Sequence, residues 1–268
     1  MAKVFVFDSA ICSGCYCCQV ACKDEHCGND WMPYAKPQPD TGQFWIKLNE
    51  VERGTVPKVK IRYFPNMCMH CDDAPCISAC KNEAIVKRED GIVWVDPKKC
   101  TGSQLCLDAC PYDVIYFNQG LKLAQKCTGC AHLLDRGWPI NEPRCTDACV
   151  WGAFKFGEEN DFTDFIANAE IMKPEENTKP RVYYKNLPKR FIAGTVFDPN
   201  TNDVVIGATC TLSGDGSGNT TTDSFGDFWF EDLEVGYYSL KIEASGYTAW
   251  TKDSISTEKD VNLGDIPL

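Results

Sequence analysis

The sequence lacks the features of several common protein classes. No stretch approaches the ~20 consecutive apolar residues that a membrane-spanning helix needs. Residues 1–20 contain no basic start, apolar run or small-residue cleavage site of the kind found in signal peptides. No nucleophile–base pair, phosphate-binding loop or dinucleotide fingerprint is visible. We therefore expect no direct membrane insertion, no export signal in this chain and no substrate pocket.

Basic residues are scarce towards the C-terminus. Residues 1–189 contain 23 Lys and Arg against 25 Asp and Glu, whereas residues 190–268 contain 4 against 13. The net charge of −11 is therefore carried mainly by the tail. An acidic tail argues against nucleic acid as a partner.

Cysteine, in contrast, is abundant, with 18 in 268 residues and all but Cys210 between Cys12 and Cys149. A disulfide framework is typical of short secreted chains, so the length argues against one. The cysteines form four sets, each with a C-x3-C pair: Cys18/Cys22, Cys76/Cys80, Cys106/Cys110 and Cys145/Cys149. Three of these pairs are preceded by a C-x2-C element: Cys12/Cys15, Cys68/Cys71 and Cys127/Cys130.

The spacing of set one, C-x2-C-x2-C-x3-C, is that of bacterial two-cluster ferredoxins, in which the fourth cysteine binds the other cluster of the module. Four sets therefore predict two ferredoxin-like modules with crossed ligands. The predicted ligands are Cys12, Cys15, Cys18 and Cys149 for cluster 1; Cys127, Cys130, Cys145 and Cys22 for cluster 2; Cys68, Cys71, Cys76 and Cys110 for cluster 3; and Cys100, Cys106 and Cys80 for cluster 4.

Two questions concern the metal: whether it is zinc or an iron–sulfur cluster, and what the fourth site holds. Paired C-x2-C elements also occur in zinc ribbons, but a zinc site does not explain the C-x2-C-x2-C-x3-C pattern or the Cys110-Pro111 that ends set three. In set three, Ser103 stands where the second ligand should be. The sequence therefore predicts three [4Fe–4S] clusters and a fourth site that holds a [3Fe–4S] cluster, holds a [4Fe–4S] cluster with Ser103 as ligand, or is empty.

The remaining candidates near the sets are interpreted as supporting residues. Cys17, Cys27 and Cys210 do not fit the repeat and are expected to be buried or idle thiols. Structural or outer-shell roles are expected for His26, His70 and His132. Lys99, Lys126 and Arg144 are candidates for tuning cluster potentials, with a solvated surface as the alternative.

Outside the cysteine region the pattern changes twice. Residues 158–189 predict a short helix, roughly Asp161 to Met172, and then an extended linker. Residues 190–268 contain about seven short β-type runs separated by Gly, Asn, Asp and Ser, which predicts a small antiparallel β-sandwich. A further hairpin is expected between sets two and three, with its turn at residues 89–91. The predicted fold class is α+β, with residues 1–157 as the cluster-binding domain.

Residues 1–157 resemble the four-cluster iron–sulfur subunits of molybdopterin oxidoreductases of the DMSO reductase family. The resemblance is carried by three stretches, Met67–Cys100, Leu105–Asn118 and Ala124–Gly157. It implies a non-catalytic subunit that passes electrons between a large molybdenum or tungsten pterin subunit and an external carrier. In some nitrate-reductase-type members, a non-cysteine residue at the position of Ser103 accompanies a three-iron cluster.

A second resemblance covers the whole chain. Thr178–Leu187 (TKPRVYYKNL), followed by a small β domain, is similar to the β subunits of pyrogallol–phloroglucinol transhydroxylases and related phenol hydroxylases and dehydroxylases. It implies a transthyretin-like, carboxypeptidase-regulatory-like C-terminal sandwich and anaerobic aromatic metabolism. Transhydroxylase β subunits have lost most ligands of the fourth site, whereas Cys80, Cys100 and Cys106 are present here, which predicts net electron transfer.

Several expectations about partners and alternatives follow. The aromatic segment 28–67 and residues 182–187 are expected to help bind the large subunit; the aromatic side chains are Trp31, Tyr34, Phe44, Trp45, Tyr63 and Phe64. The alternative for each is domain core. A free-standing ferredoxin, a nitrate-reductase-like β subunit and an interaction role for the C-terminal domain remain open. The expected location is the cytoplasm, or export with a partner that carries the signal.

Overall fold

The computed structural model describes residues 2–137 and 142–268, and these residues form two units. The first comprises residues 1–50 and 62–187, and the second comprises residues 51–61 and 188–268. Among the described residues, no helix combines the length and the apolar character needed to cross a bilayer.

The elements up to residue 187 are short and mostly extended. In chain order they are β1 (Lys3–Asp8), α1 (Cys17–His26), β2 (Ile46–Thr55), β3 (Lys58–Met67), α2 (Pro75–Ala79), β4 (Ile85–Lys87), β5 (Val93–Val95), α3 (Leu105–Asp108), β6 (Tyr116–Asn118), β7 (Leu123–Gln125), α4 (Ala131–Asp135), α5 (Arg144–Asp147), β8 (Phe154–Glu158), α6 (Thr163–Ile166) and β9 (Val182–Lys185). Two 3-10 turns span Glu159–Phe162 and Pro174–Glu176.

A three-stranded sheet anchors the first unit. Its order is β8-β1-β9, with β8 antiparallel and β9 parallel to β1. Strand β1 is a continuous apolar run, Val4 to Phe7, whose side chains are all at most 2% exposed. A strand that is covered on both faces has this pattern.

Four short helices carry the first cysteine of the C-x3-C pairs, α1 carries both cysteines of its pair, and the four helices pack in two couples. Helix α1 packs against α5, and α2 packs against α3. The first couple brings set one to set four, and the second brings set two to set three. Because the cysteines of a C-x3-C pair are one helical turn apart, each couple brings two such pairs into proximity.

The predicted hairpin between sets two and three is confirmed. Strands β4 and β5 pair antiparallel, with Ile85 opposite Val95. The turn is closed by the Arg88 amide, which donates to the Ile92 carbonyl at 2.8 Å. Gly91 has a φ of +87°, which a side-chain-bearing residue adopts only with strain.

The helix predicted over residues 161–172 is wrong in its extent, since α6 covers only Thr163–Ile166. Glu170 instead forms a β-bridge with Tyr184: each amide donates to the other carbonyl, at 2.7 and 2.9 Å. These bonds use backbone groups that a longer helix would need. The following residues also form more than a linker, because β9 joins the sheet beside β1.

The second unit is a two-sheet sandwich. Its strands are β10 (Arg190–Phe197), β11 (Thr209–Gly214), β12 (Gly218–Thr221), β13 (Asp227–Leu233), β14 (Tyr237–Glu243), β15 (Trp250–Ser256) and β16 (Val261–Pro267). The sheets have the orders β13-β10-β16 and β12-β11-β14-β15. Apolar side chains such as Ile192, Leu212 and Phe228 form the core. One pair departs from the predicted antiparallel arrangement, since β10 and β16 are parallel.

Residues 51–61, the tip of the hairpin formed by β2 and β3, belong to this second unit. The tip is basic and meets acidic side chains of the sandwich. Lys58 pairs with Asp227, Lys60 pairs with Glu231, and Arg53 lies 3.5 Å from Asp260. The ammonium of Lys60 also lies 4.5 Å from the ring centre of Trp229, within cation–π range.

The Lys58–Asp227 pair yields a prediction about stability. Burial opposes ionisation of Asp227, but hydrogen bonds from Lys58 and Thr195 outweigh it and lower the pKa of the carboxyl. The pair is therefore charged at pH 7, and its contribution is lost only as the pH falls below the ~3.9 of an unfolded aspartate. Because the Lys58 side chain is only 6% exposed, Asp227→Asn leaves a buried charge unpaired, which costs about 3 kcal/mol.

Hydrogen exchange of the β10 and β13 amides in the intact protein at pH 7 measures this cost. Asp227→Asn is expected to speed exchange about a hundredfold, since each 1.4 kcal/mol is a factor of ten. The double variant Lys58→Met/Asp227→Asn should exchange more slowly than Asp227→Asn, because no charge remains buried. Asp253→Asn is the exposed control. Equal exchange in Asp227→Asn and the control would contradict the prediction.

Candidate iron–sulfur cluster sites

Four thiol groups are brought together by the first unit, each drawn from two cysteine sets. Group 1 contains Cys12, Cys15, Cys18 and Cys149. Burial, followed by the neighbouring thiolates of Cys12, Cys149 and Cys15, raises the pKa of Cys18 to about 12. The same neighbours, Cys149 and Cys15, raise the pKa of Cys12 after burial.

Group 2 contains Cys22, Cys127, Cys130 and Cys145, and all four are buried. Burial is the main cause that raises the pKa of Cys22, and the thiolates of Cys127 and Cys130 raise it further. Cys145 is affected in the same way by Cys130, Cys22 and Cys127. The partner of Cys22 is therefore set four, although Cys22 belongs to set one.

Group 3 contains Cys68, Cys71, Cys76 and Cys110. Burial raises the pKa of Cys76 to about 12 against the opposing charge of Lys126, and Cys68, Cys110 and Cys71 make smaller contributions that raise it further. The pKa of Cys71 is also raised, to about 11, mainly by burial and further by the thiolates of Cys68 and Cys110. A hydrogen bond with Thr178 lowers it but does not cancel this increase.

Group 4 has three thiols. Burial and the thiolates of Cys100 and Cys80 raise the pKa of Cys106 to about 11. A pocket beside these thiols includes Ser103 in its wall. Its other lining residues are Cys80, Asn82, Ala84, Ile85, Val95, Cys100, Thr101, Gln104, Cys106 and Ala124.

One backbone feature is common to all four sets. The residue before the second ligand position has a positive φ: +71° at Gly14, +46° at His70, +75° at Gly102 and +61° at Gly129. Glycine adopts this conformation without a steric penalty, which explains three of the four. Ser103 follows Gly102, so set three retains the loop of the other sets and carries a hydroxyl at the position of the second thiol.

Backbone amides point at several of the sulfurs. Donor-to-sulfur distances are 3.4 Å for His70 to Cys68, 3.3 Å for Ala84 to Cys80, 3.4 Å for Ala124 to Cys100, 3.3 Å for Gly129 to Cys127 and 3.3 Å for Phe154 to Cys149. Such N–H donors stabilise thiolates and the sulfurs around iron–sulfur clusters.

These observations fit iron–sulfur clusters as the groups that the thiols would hold. All 18 cysteines are free, and most of the grouped thiols are buried, where a thiolate is costly without a compensating cation. No three His, Cys, Asp or Glu in residues 2–137 and 142–268 are arranged to hold a single metal ion. The ligands of a cluster surround several iron and sulfide atoms and therefore lie farther apart than those of one ion.

The exposure of the thiols differs between the groups. Group 2 is fully buried, and in group 3 only Cys110 is partly exposed. Group 1 includes the exposed Cys15, and group 4 includes the partly exposed Cys80 and Cys100. Groups 1 and 2 share α1, and groups 3 and 4 share α2, so the buried groups are flanked by groups that reach the surface.

The residues outside the repeat occupy supporting positions. Cys210 lies in the sandwich core with 0% exposure, while Cys17 and Cys27 are partly exposed. His26 and His132 are buried; His26 Nε2 lies 3.7 Å from Cys130 Sγ, and His132 Nε2 lies 3.0 Å from Glu25 Oε1. The structural or outer-shell role of these histidines stays a prediction.

Two lysines that the sequence treats alike are placed differently. Lys99 precedes Cys100 and is exposed. Lys126 precedes Cys127 and is only 1% exposed, with Nζ 3.2 Å from Cys68 Sγ. A solvated surface position is therefore wrong for Lys126. Thr178, whose hydroxyl lies 2.6 Å from that of Tyr112, has no spacing signal that would identify it as a neighbour of group 3.

Most of the aromatic residues expected at a partner surface belong to the core of the first unit. Trp45, Val182 and Tyr184 are at most 1% exposed. Trp31, Tyr63 and Phe64 are partly buried and pack against the same core. For these side chains the alternative interpretation, domain core, describes the structure.

Comparisons with known proteins agree with this geometry. Residues 59–159 match the family model of the 4Fe-4S dicluster domain, and residues 192–268 match the carboxypeptidase regulatory-like domain. The chain is 39% identical to the pyrogallol hydroxytransferase small subunit of Pelobacter acidigallici, covering 98% of both chains. It is 35% identical to a tetrathionate reductase subunit of Salmonella typhimurium, covering 70% of this chain and 73% of that one.

A third relative is the iron–sulfur subunit of arsenate respiratory reductase from a Shewanella species, which is 30% identical over 67% of this chain and 94% of that one. The chain belongs to the family of iron–sulfur electron-transfer β subunits of molybdopterin oxidoreductases. The resemblance found in the sequence is thereby confirmed, as is the carboxypeptidase-regulatory-like C-terminal domain.

Proposed function

We propose that this chain carries four iron–sulfur clusters in a row, arranged as two ferredoxin-like modules. Groups 1 and 2 form one module, and groups 3 and 4 form the other. The observation that carries this proposal is the crossed grouping of the thiols, since Cys22 meets Cys127 and Cys130 while Cys149 meets Cys12. Bound clusters exchange single electrons without bond chemistry in a substrate.

The residues of this chain would hold, insulate and tune such clusters. Buried groups 2 and 3 exclude water from the middle of the row, whereas groups 1 and 4 reach the surface, where electrons can enter and leave. This order fits a subunit that connects a catalytic partner to an external carrier. Large exposed apolar side chains lie close in sequence to the group 1 cysteines, namely Ile11, Val20, Val150 and Trp151. We propose that they contact the catalytic subunit.

For group 4 we propose a three-iron cluster held by Cys80, Cys100 and Cys106. A serine must lose its proton before it can bind iron, and the residues that line the pocket include no cation that would favour an alkoxide. Ser103 would then border the corner that lacks an iron. A [4Fe–4S] cluster with Ser103 as ligand is the competing outcome.

Ser103→Cys tests the assignment of group 4. We expect the oxidised wild-type protein to give the EPR signal of a three-iron cluster, and the Ser103→Cys variant to lose that signal and gain about one iron per chain. Thr101→Cys, which places a thiol at a neighbouring position of the same pocket, is the control. A wild-type protein without the oxidised signal, with unchanged iron in Ser103→Cys, would reject the three-iron assignment.

Similarity over the full length supports a proposal for the substrate class. The chain and the pyrogallol hydroxytransferase small subunit match over 98% of both sequences, including the C-terminal domain. We propose that the catalytic partner acts on phenolic aromatics. Because group 4 retains three cysteines, we further propose a reaction with net electron transfer, hydroxylation or dehydroxylation, in place of hydroxyl exchange.

The complex purified with its large subunit tests this proposal. Incubation with pyrogallol or catechol and an artificial electron carrier should change the hydroxyl count of the phenol and the redox state of the carrier in equal electron equivalents. Exchange of hydroxyl groups between two phenols, with no turnover of the carrier, would contradict net electron transfer. Inactivity with every phenol, but turnover of tetrathionate or arsenate, would reject the substrate class.

A further inference from the structure

The space between groups 2 and 3 contains two polar side chains that the electron-transfer role does not by itself require. They are His70 from set two and Lys126 from set four. Both are buried, with exposures of 2% and 1%. Because the two groups lie in different modules, this is the position where the modules meet.

Lys126 connects the two groups through its ammonium. Its Nζ donates to Cys68 Sγ of group 3 at 3.2 Å and to the carbonyl of Cys127, a group 2 residue, at 3.1 Å. The Val93 carbonyl accepts the third hydrogen bond. All three donors of the ammonium are therefore used, and its charge lies against a group 3 sulfur.

His70 lies beside the same sulfur, because its backbone amide donates to Cys68 Sγ at 3.4 Å. Its Nδ1 accepts a hydrogen bond from the Val93 amide at 3.0 Å, so the ring proton is on Nε2. Nε2 is buried and has no hydrogen-bond partner among the described residues, and the thiols of Cys68 and Cys127 are its electrostatic neighbours. An unsatisfied N–H donor therefore lies close to a group 3 thiol and a group 2 thiol.

The backbone of His70 carries an additional cost. It has a φ of +46° at the loop position where the other three sets place glycine. A residue with a side chain is strained in this left-handed region, and such strain clusters at functional sites. Glycine would remove the strain and also the ring, so the side chain itself is what this position retains.

We propose that His70 and Lys126 form a cationic donor bridge between groups 2 and 3 that raises the reduction potential of the cluster held by Cys68. The proposal depends on the cluster assignment given above. Reduction adds one negative charge to a cluster, and a nearby positive charge and N–H donors to its sulfurs stabilise that charge. Of the group 3 sulfurs, Lys126 donates a hydrogen bond to that of Cys68. The bridge therefore acts on the cluster through this ligand.

An EPR-monitored redox titration of the intact, anaerobically purified protein tests the bridge. Lys126→Gln removes the charge, and we expect the midpoint potential of one cluster to fall. The equilibrium constant for its reduction should decrease at least tenfold, which corresponds to 59 mV for a one-electron couple. His70→Asn should lower the same midpoint, because asparagine tolerates the left-handed backbone but removes the imidazole N–H that lies near these thiols. Lys126→Arg keeps the charge and should leave all midpoints near those of the wild type.

Lys99→Gln is the matched control, since Lys99 also directly precedes a ligand cysteine but is exposed. A shift in Lys126→Gln no larger than in Lys99→Gln would overturn the proposal, as would an equal shift in Lys126→Arg. If Lys126→Gln loses iron, the midpoint of His70→Asn decides: a lowered midpoint supports the bridge, and a midpoint equal to that of the wild type overturns it. A wild-type protein without the four clusters would instead refute the cluster assignment, so the two failures are distinguishable.

Discussion

Cys22→Ser is expected to remove the same cluster as Cys127→Ser, although 105 positions separate the two residues. Both thiols belong to group 2, where Cys22 interacts with Cys127 and Cys130. Cys12→Ser, in the same set as Cys22, should instead remove the group 1 cluster. Each variant leaves three cysteines and a serine, the set for which a three-iron cluster is proposed in group 4, so it should lose its [4Fe–4S] cluster and at least one iron per chain. Metal loss should also lower the free energy of unfolding.

EPR spectra of the reduced variants provide the comparison. The component missing from Cys22→Ser should match the one missing from Cys127→Ser and differ from the one missing from Cys12→Ser. Cys27→Ser is the control, because Cys27 lies outside the groups, with its sulfur 3.4 Å from Asp40 Oδ1. If Cys22→Ser and Cys12→Ser lost the same component, ligation would follow the sets and the crossed assignment would be wrong.

Gly54→Ala is expected to destabilise the second unit more than Gly246→Ala does. Gly54 lies in the hairpin tip with a φ of +89°. A Cβ at this position would lie 2.3 Å from the Lys58 carbonyl oxygen and 2.5 Å from the ring of Phe191. The ring is 1% exposed and has no space into which to move, so the substitution forces the hairpin tip away from the sandwich.

Gly246→Ala separates the clash from the backbone strain. Gly246 has a φ of +90°, but nothing lies within 4 Å of a Cβ built there. Both substitutions therefore cost about 1–2 kcal/mol for the left-handed backbone, and Gly54→Ala costs about 1–3 kcal/mol more for overpacking. Exchange of the β10 and β13 amides should be at least fivefold faster in Gly54→Ala. Equal exchange in the two variants would show that the tip does not pack as described.

The sequence was sufficient to identify the four cysteine sets and their loops, because the spacing of cysteines within a set is a local property. The C-x3-C pairs need one helical turn, and glycines at positions 14, 102 and 129 supply the positive φ before the second ligand. The hairpin around Gly91 was predictable for the same reason, since its turn and its alternating apolar residues are adjacent in the chain.

Features that depend on distant residues could not be read from the sequence. Lys99 and Lys126 have the same local context, and only the β5 carbonyl of Val93 and the sulfur of Cys68 distinguish the buried one. The helix predicted after residue 160 ends early because Glu170 bonds to Tyr184. The basic hairpin tip likewise gave no sign that its partners are acidic residues about 170 to 210 positions later.

Iron and acid-labile sulfide analysis of anaerobically purified protein, combined with Mössbauer spectroscopy, tests the central claim most directly. Three four-iron clusters and one three-iron cluster predict about fifteen iron atoms and about sixteen sulfides per chain, with no zinc. Colourless protein that contains zinc and lacks labile sulfide would contradict the account, because the four thiol groups would then hold single ions.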